Sequence, residues 1–305
     1  LNNVGSNGST FTLTTAMGEN IVGTSGNDEF RAVGDATPAS ATLNIGDAID
    51  GGAGTDTLNL YVTTTSSLPG GSVIKNVEII NVIQSGAAGE KFTAADLDAT
   101  KFEGVQQIWQ KGYAAADVQT VSKVGAGVTV GLDGTKGAAA IALTADFTKA
   151  TGAFALNGVE ATGGGNNITL TANSTGTAAA DATKTLTVSG GVTKANTGTL
   201  VIQDQVAGAA AAGSDIVETL KLNLTGEKVT VDVSDLSKLK TLDASGSTNN
   251  VTTTVDAGTL KAVTSVKLGS GSDILTLNVD AKNMTVDLGA GNDTLVTSAT
   301  ASATN

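Results

Sequence analysis

Leu268-Gly269-Ser270-Gly271-Ser272-Asp273-Ile274-Leu275 and, further on, Leu288-Gly289-Ala290-Gly291-Asn292-Asp293-Thr294-Leu295 decide how the whole chain is read. Both follow the nonapeptide pattern G-G-x-G-x-D-x-U-x, where U is apolar, except that Leu268 and Leu288 stand in place of the first glycine. The chemistry explains the spelling. Glycines let the backbone turn tightly and aim carbonyl oxygens inward, the aspartate adds a carboxylate, and the apolar residue two places on starts a strand. Such loops suit calcium, which takes about six to eight oxygen ligands, more than one loop of this length supplies. Two loops therefore have to stack. Asp273 and Asp293 lie about two nonapeptides apart, one coil of a parallel β-roll.

The pattern recurs intact near the N-terminus as Asp50-Gly51-Gly52-Ala53-Gly54-Thr55-Asp56-Thr57-Leu58, preceded by a looser copy, Gly23-Thr24-Ser25-Gly26-Asn27-Asp28-Glu29-Phe30. Four copies, two at each end, each with an apolar residue two places after the aspartate, predict paired calcium sites. The candidate metal residues of the first pair are Gly23, Gly26, Asn27 and Asp28 with Asp50, Gly52, Gly54 and Asp56. Those of the second are Gly269, Gly271 and Asp273 with Gly289, Gly291, Asn292 and Asp293. The plainer reading is a surface turn in which each aspartate caps its own backbone.

Composition points the same way. The chain carries 29 acidic against 17 basic side chains, a net charge of −12. That balance disfavours nucleic acid and anionic membrane surfaces, which require clustered Lys and Arg, and suits a chain partly neutralised by bound calcium. Cysteine and histidine are absent, which removes disulfides, thiolate metal sites, the commonest general base and the commonest zinc ligand. Aromatics are 3% and hydrophobic residues 40%, a composition for thin layers of small side chains. No run of eighteen apolar residues appears, so no transmembrane segment is expected. The chain opens at Leu1 without a signal peptide, and a fragment or processed product of something longer is expected.

Around the loops the chain reads as all-β, a right-handed parallel β-solenoid or β-roll. Apolar residues spaced three, three and two recur in Ile74-x-x-Val77-x-x-Ile80-x-Val82, Leu236-x-x-Leu239-x-x-Leu242-x-Ala244 and Leu260-x-x-Val263-x-x-Val266-x-Leu268. A short turn followed by alternation is one solenoid rung, unlike the steady period of a helix. Asp232, Asp256 and Asp280 recur at equal intervals of 24 residues, and in that register Asn249 takes the place Asp273 holds one rung later. Three regions are expected: a β-rich domain with the first loop pair at 1–110, a Thr/Ala/Gly-rich β domain at 111–213, and a C-terminal solenoid with the second pair at 214–305. The middle region has strand candidates such as Ile141-Ala142-Leu143 and Ile168-Thr169-Leu170-Thr171 between Gly- or Ala-rich turns, around Gly163 to Asn167 and Ala207 to Gly213. These suit further solenoid or a β-sandwich. Asp98, Asp232, Asp256 and Asp280 read as turn formers, and Trp109 as filling a gap in the solenoid. Asp47 and Asp50 are a carboxylate pair of the kind glycoside hydrolysis uses, but beside calcium loops no enzyme is expected.

The order Phe11 to Thr15, Gly23 to Phe30, Gly46 to Asn59 and Val77-Glu78-Ile79-Ile80-Asn81-Val82 resembles the start of the C-terminal crystallisation region of RTX-type surface-layer (S-layer) proteins of Gram-negative bacteria. The likeness covers about residues 10 to 82; the remainder resembles the family in composition and in its closing loops. It implies a calcium-dependent region that self-assembles into a two-dimensional lattice on the outside of the cell after type I secretion, bound to lipopolysaccharide through a separate region not in this chain. Large RTX adhesins use similar loops, and a calcium-stabilised module of such an adhesin is the alternative. The small number of calcium loops is where the chain departs from the S-layer family.

Overall fold

The computed structural model of the chain describes residues 8–85, 87–93, 97–161, 166–176, 179–192, 198–206, 216–256, 259–278 and 284–297. Alternating apolar and polar residues make short strands, and the paired strands run parallel. Among the described residues they form three sheets. A thirteen-stranded sheet runs from Thr10–Thr12 to Thr285–Asp287. A four-stranded sheet (Asn20–Val22, Ala48–Asp50, Val73–Lys75, Phe102–Glu103) faces its first part, and an eight-stranded sheet from Val121–Val124 to Thr294–Thr297 takes over thereafter. Along the chain, strands of the long sheet alternate with strands of the other two, so the chain coils as a parallel β-solenoid. Among the described residues no helix is long and apolar enough to cross a membrane.

Stacking rungs buries like on like. Phe30, Leu58, Ile80, Ile108, Val130 and Phe154 sit in register on successive strands of the long sheet, and all are fully buried. On the outer faces, amides bond across rungs: Asn59 Nδ2 to Glu29 Oε1 (2.6 Å), Asn81 Nδ2 to Asn59 Oδ1 (2.7 Å), Asn173 Nδ2 to Asp146 Oδ1 (2.8 Å). A slip of one residue would turn these groups into the apolar core and expose the apolar column, so the two faces hold the register together.

The middle region continues the solenoid: Ile141–Phe147, Ile168–Ser174 and Leu200–Val206 pair in parallel along their whole length. The long sheet passes without a break through the regions on either side, since Gln107–Lys111 pairs with Thr129–Asp133, and Thr185–Val192 with Thr219–Leu224. Of the turns read from the sequence, Gly163 to Gly165 and Ala207 to Gly213 lie outside the described residues, as does Asp280.

Rung length varies, and this corrects the even spacing read from the aspartates. Leu242 does pair with Val266, but Val229 pairs with Val251 and Thr252 with Ile274. Val251, not Asn249, therefore lies opposite Asp273. Val229–Asp232 and Val251–Asp256 start in register, and the second strand runs two residues further, so its closing aspartate falls 24 residues on while paired residues lie 22 apart. Asp256 pairs with Asn278 across the sheet. Trp109 also differs from expectation: it is half-buried on the outer face of the long sheet, with its ring over Gly131.

Candidate metal centre

Each acidic loop leads into a strand, and the residue after the aspartate opens that strand. Its apolar neighbour two places on then turns into the core: Phe30, Leu58 and Leu275 are fully buried. Leu295 is 46% exposed because its strand, Thr294–Thr297, is the last one described in its sheet. The two best-formed loops share one backbone shape, with φ of 89° and 130° at Gly52 and Gly54 and 81° and 136° at Gly289 and Gly291. Only glycine adopts such values freely. The stacking adds a second requirement: a Cβ on Gly54 would collide with the Gly26 carbonyl below it, and one on Gly291 with that of Gly271.

The aspartates themselves reach between rungs. Asp28 Oδ1 accepts the Ser9 N–H (2.6 Å), Asp56 Oδ1 the Asp28 N–H (2.7 Å), Asp273 Oδ1 the Val251 N–H (2.7 Å) and Asp293 Oδ1 the Asp273 N–H (2.9 Å). Each carboxylate thus closes the donor at the mouth of the strand on the preceding rung, where the sheet ladder has not yet begun. Sequence reasoning missed a third member of the N-terminal column. Glu78 Oε2 accepts the Asp56 N–H (2.8 Å), and its spacing to buried Ile80 repeats the spacing of Asp56 to Leu58, though no glycines announce it.

Of the predicted metal residues, Gly23, Gly26, Asn27 and Asp28 stack against Gly52, Gly54 and Asp56, with Asn27 Oδ1 accepting the Thr55 N–H (2.9 Å). Gly269, Gly271 and Asp273 stack likewise against Gly289, Gly291 and Asp293, while Asn292 is exposed. Asp50 stands apart. Its carboxylate pairs with Lys75 Nζ (2.9 Å) and accepts from Asn76 Nδ2 (2.8 Å), and these partners hold its pKa below the ordinary value. Asp47 is engaged elsewhere, accepting the Glu19 and Asn44 N–H groups, so Asp47 and Asp50 do not share a site. Asp98 and Asp232 are the turn formers expected, bonding the backbone of Thr100 and Ser234.

The column is electrostatically uneven. Burial and the charges of Glu78 and Asp28 push the Asp56 carboxyl up, against the one N–H it accepts. Burial, with the charge of Asp293, also pushes Asp273 up, although Val251 and Gly269 donate to it. Asp28 is buried too, yet the N–H groups of Ser9 and Thr24 and the Thr24 hydroxyl together bring it below the ordinary value. Asp56 Oδ2 is the anomaly: in a fully buried residue it has no hydrogen-bond partner, and it lies against Gly51. Leaving a buried acceptor unmade costs about 1–3 kcal/mol, more for a charged group. A cation or a proton satisfies it. Among the described residues no three acidic side chains converge on one point, so a cation here would rest on one or two carboxylates and on loop carbonyls, which is a donor set calcium accepts. No protein-family model and no curated protein matches the chain.

Proposed function

We propose that this chain is a non-catalytic structural protein, a calcium-dependent, self-assembling element of a bacterial surface layer, exported from the cell. The observation that carries the calcium part is Asp56 Oδ2, a buried carboxylate oxygen without a partner in a glycine-turned loop stacked on a second such loop. Asp28 and Asp56, with loop carbonyls, would hold one ion, and Asp273 and Asp293 another. Bound calcium supplies there the positive charge that the raised Asp56 and Asp273 carboxyls lack.

Self-association is supported by where apolar side chains face water. Met17 (71% exposed) and Ile45 (64%) are joined through the Gly18 N–H bond to the Ile45 carbonyl, and Val22 and Val73 lie exposed on the adjoining four-stranded sheet. With no cysteine, any such assembly is non-covalent. The test is light scattering through a calcium titration, followed by electron microscopy, with magnesium as control because its tighter octahedral demand should make it fail. Calcium-dependent ordered sheets are expected. A folded, calcium-bound monomer at millimolar calcium would replace the lattice reading with the adhesin module, and identical circular dichroism with and without chelator would remove the calcium reading.

A further inference from the structure

We propose that the outer face of the long sheet, from Trp109 to a groove beginning at Asn157, is a binding strip for a neutral saccharide. It lies in rungs remote in sequence from both loop pairs and does not depend on calcium.

The strip begins with the only tryptophan of the chain. Trp109 lies on the outward side of Gln107–Lys111, and its indole N–H is fixed by Gln107 Oε1 at 2.8 Å. In the next rung Gly131 stands directly opposite, and a Cβ there would overlap the benzene ring of the indole. The ring is therefore laid over the neighbouring strand instead of standing off it, a known way of covering a bare glycine in a sheet. Its half-buried state leaves part of the ring surface to solvent. The residue opposite Gly131 one rung further is Ala155, so no large side chain blocks that direction.

Hydrogen-bonding groups lie along the same edge. Asp133 pairs with Lys111 Nζ (3.1 Å) and accepts from Asn157 Nδ2 (2.9 Å). Asn157 in turn opens an independent feature, a groove of about 300 Å³ lined by Gly158, Gly190, Gly191, Thr225 and Glu227. That volume is at the lower end for small-ligand sites. Its lining is mostly backbone, hydroxyl, amide and carboxylate, which exchange hydrogen bonds with sugar hydroxyls in either direction. An amphipathic ring beside such groups suits a ligand with one apolar face and an equatorial rim of hydroxyls. The carboxylates of Asp133 and Glu227, in a chain of net charge −12, favour a neutral ligand over an anionic one.

Because Trp109 is the sole tryptophan, its emission reports on this strip alone. The full chain would be titrated with cellohexaose, maltohexaose, chitohexaose and mannohexaose, in calcium and in chelator. A saturable emission change with at least one of them is expected, with Kd between about 0.1 and 10 mM. By calorimetry Trp109→Ala should weaken binding at least tenfold and Asn157→Ala several-fold, with far-UV circular dichroism unchanged, while Trp109→Phe stays within a few-fold of the parent. Should Trp109→Ala not fold, Asn157→Ala and Glu227→Gln, both at exposed positions, decide the matter. No saturable change with any of the four sugars overturns the proposal. So does unaltered binding by the variants, or an emission that shifts only with protein concentration, which would make the strip a contact between copies.

Discussion

Asp56→Asn keeps the shape of the side chain while removing a charge and the proposed calcium ligand. In chelator the variant should lie within about 1 kcal/mol of the parent. Oδ1 still accepts the Asp28 N–H, and loss of the buried charge relieves the repulsion from Glu78 and Asp28, which offsets the burial of a new amide donor. In calcium the two should part. A ligand at a hundred times its Kd stabilises the folded state by about 2.7 kcal/mol, and the variant should lose most of that at the N-terminal site. With an unfolding entropy of about 2.1 cal/mol/K per residue, a chain of 305 residues melting as one unit converts the loss to roughly 4 °C. Solenoids can unfold rung by rung, and N-terminal rungs melting alone would show a larger shift. Thermal melts by circular dichroism, run in chelator and in saturating calcium, read both numbers. An undiminished calcium shift in the variant would refute the assignment of Asp56. A loss of several kcal/mol in chelator would refute the claim that Oδ2 has no partner within the protein.

Gly54→Ala should cost about 2–3 kcal/mol in chemical denaturation, through its φ of 130° and the collision with the Gly26 carbonyl, whereas Gly70→Ala, with open space around it, should stay within about 0.5 kcal/mol; equal costs would mean that loop stacking is not what the glycines serve. Tyr113→Phe removes a buried hydroxyl without a partner and should leave stability unchanged or raise it by up to about 1 kcal/mol; a clear loss would place a buried water on that oxygen. Asp56 and Asp273 titrate above the ordinary carboxylate value in the folded chain, so they bind protons there more readily than in the unfolded chain. Their contribution to stability is therefore present below the unfolded value, near 3.9, and is lost as pH rises through the folded one. In metal-free protein these two groups should therefore add stability as pH falls through their folded values, and Asp56→Asn should remove its share of that gain relative to the parent; parent and variant melts that keep a constant difference at every pH would contradict it.

Much of this architecture was legible in the residues. The glycine spacing of the loops, the apolar residue two places after each aspartate and the alternation of the strands are local properties, because backbone freedom and side-chain direction are decided within a few residues. They were enough for a parallel solenoid and for stacked acidic loops. The equal spacing of Asp232 and Asp256 was a misleading local signal, since each aspartate closes its strand and strands paired in register need not end together.

What tertiary structure alone decided is what lies on the adjacent rung. Glu78 joined the acidic column because its strand begins beside that of Asp56, and Asp50 left it because Lys75 is its neighbour in the next rung. Trp109 found Gly131 under its ring in the same way. Rungs in a sheet lie about 4.8 Å apart, nearer than residues two places apart along a strand, so the strongest contacts of each side chain are with a residue whose place in the sequence depends on the length of an intervening turn. Periodicity along the chain determined which face each residue took; the rung lengths, summed through the turns, determined its partner.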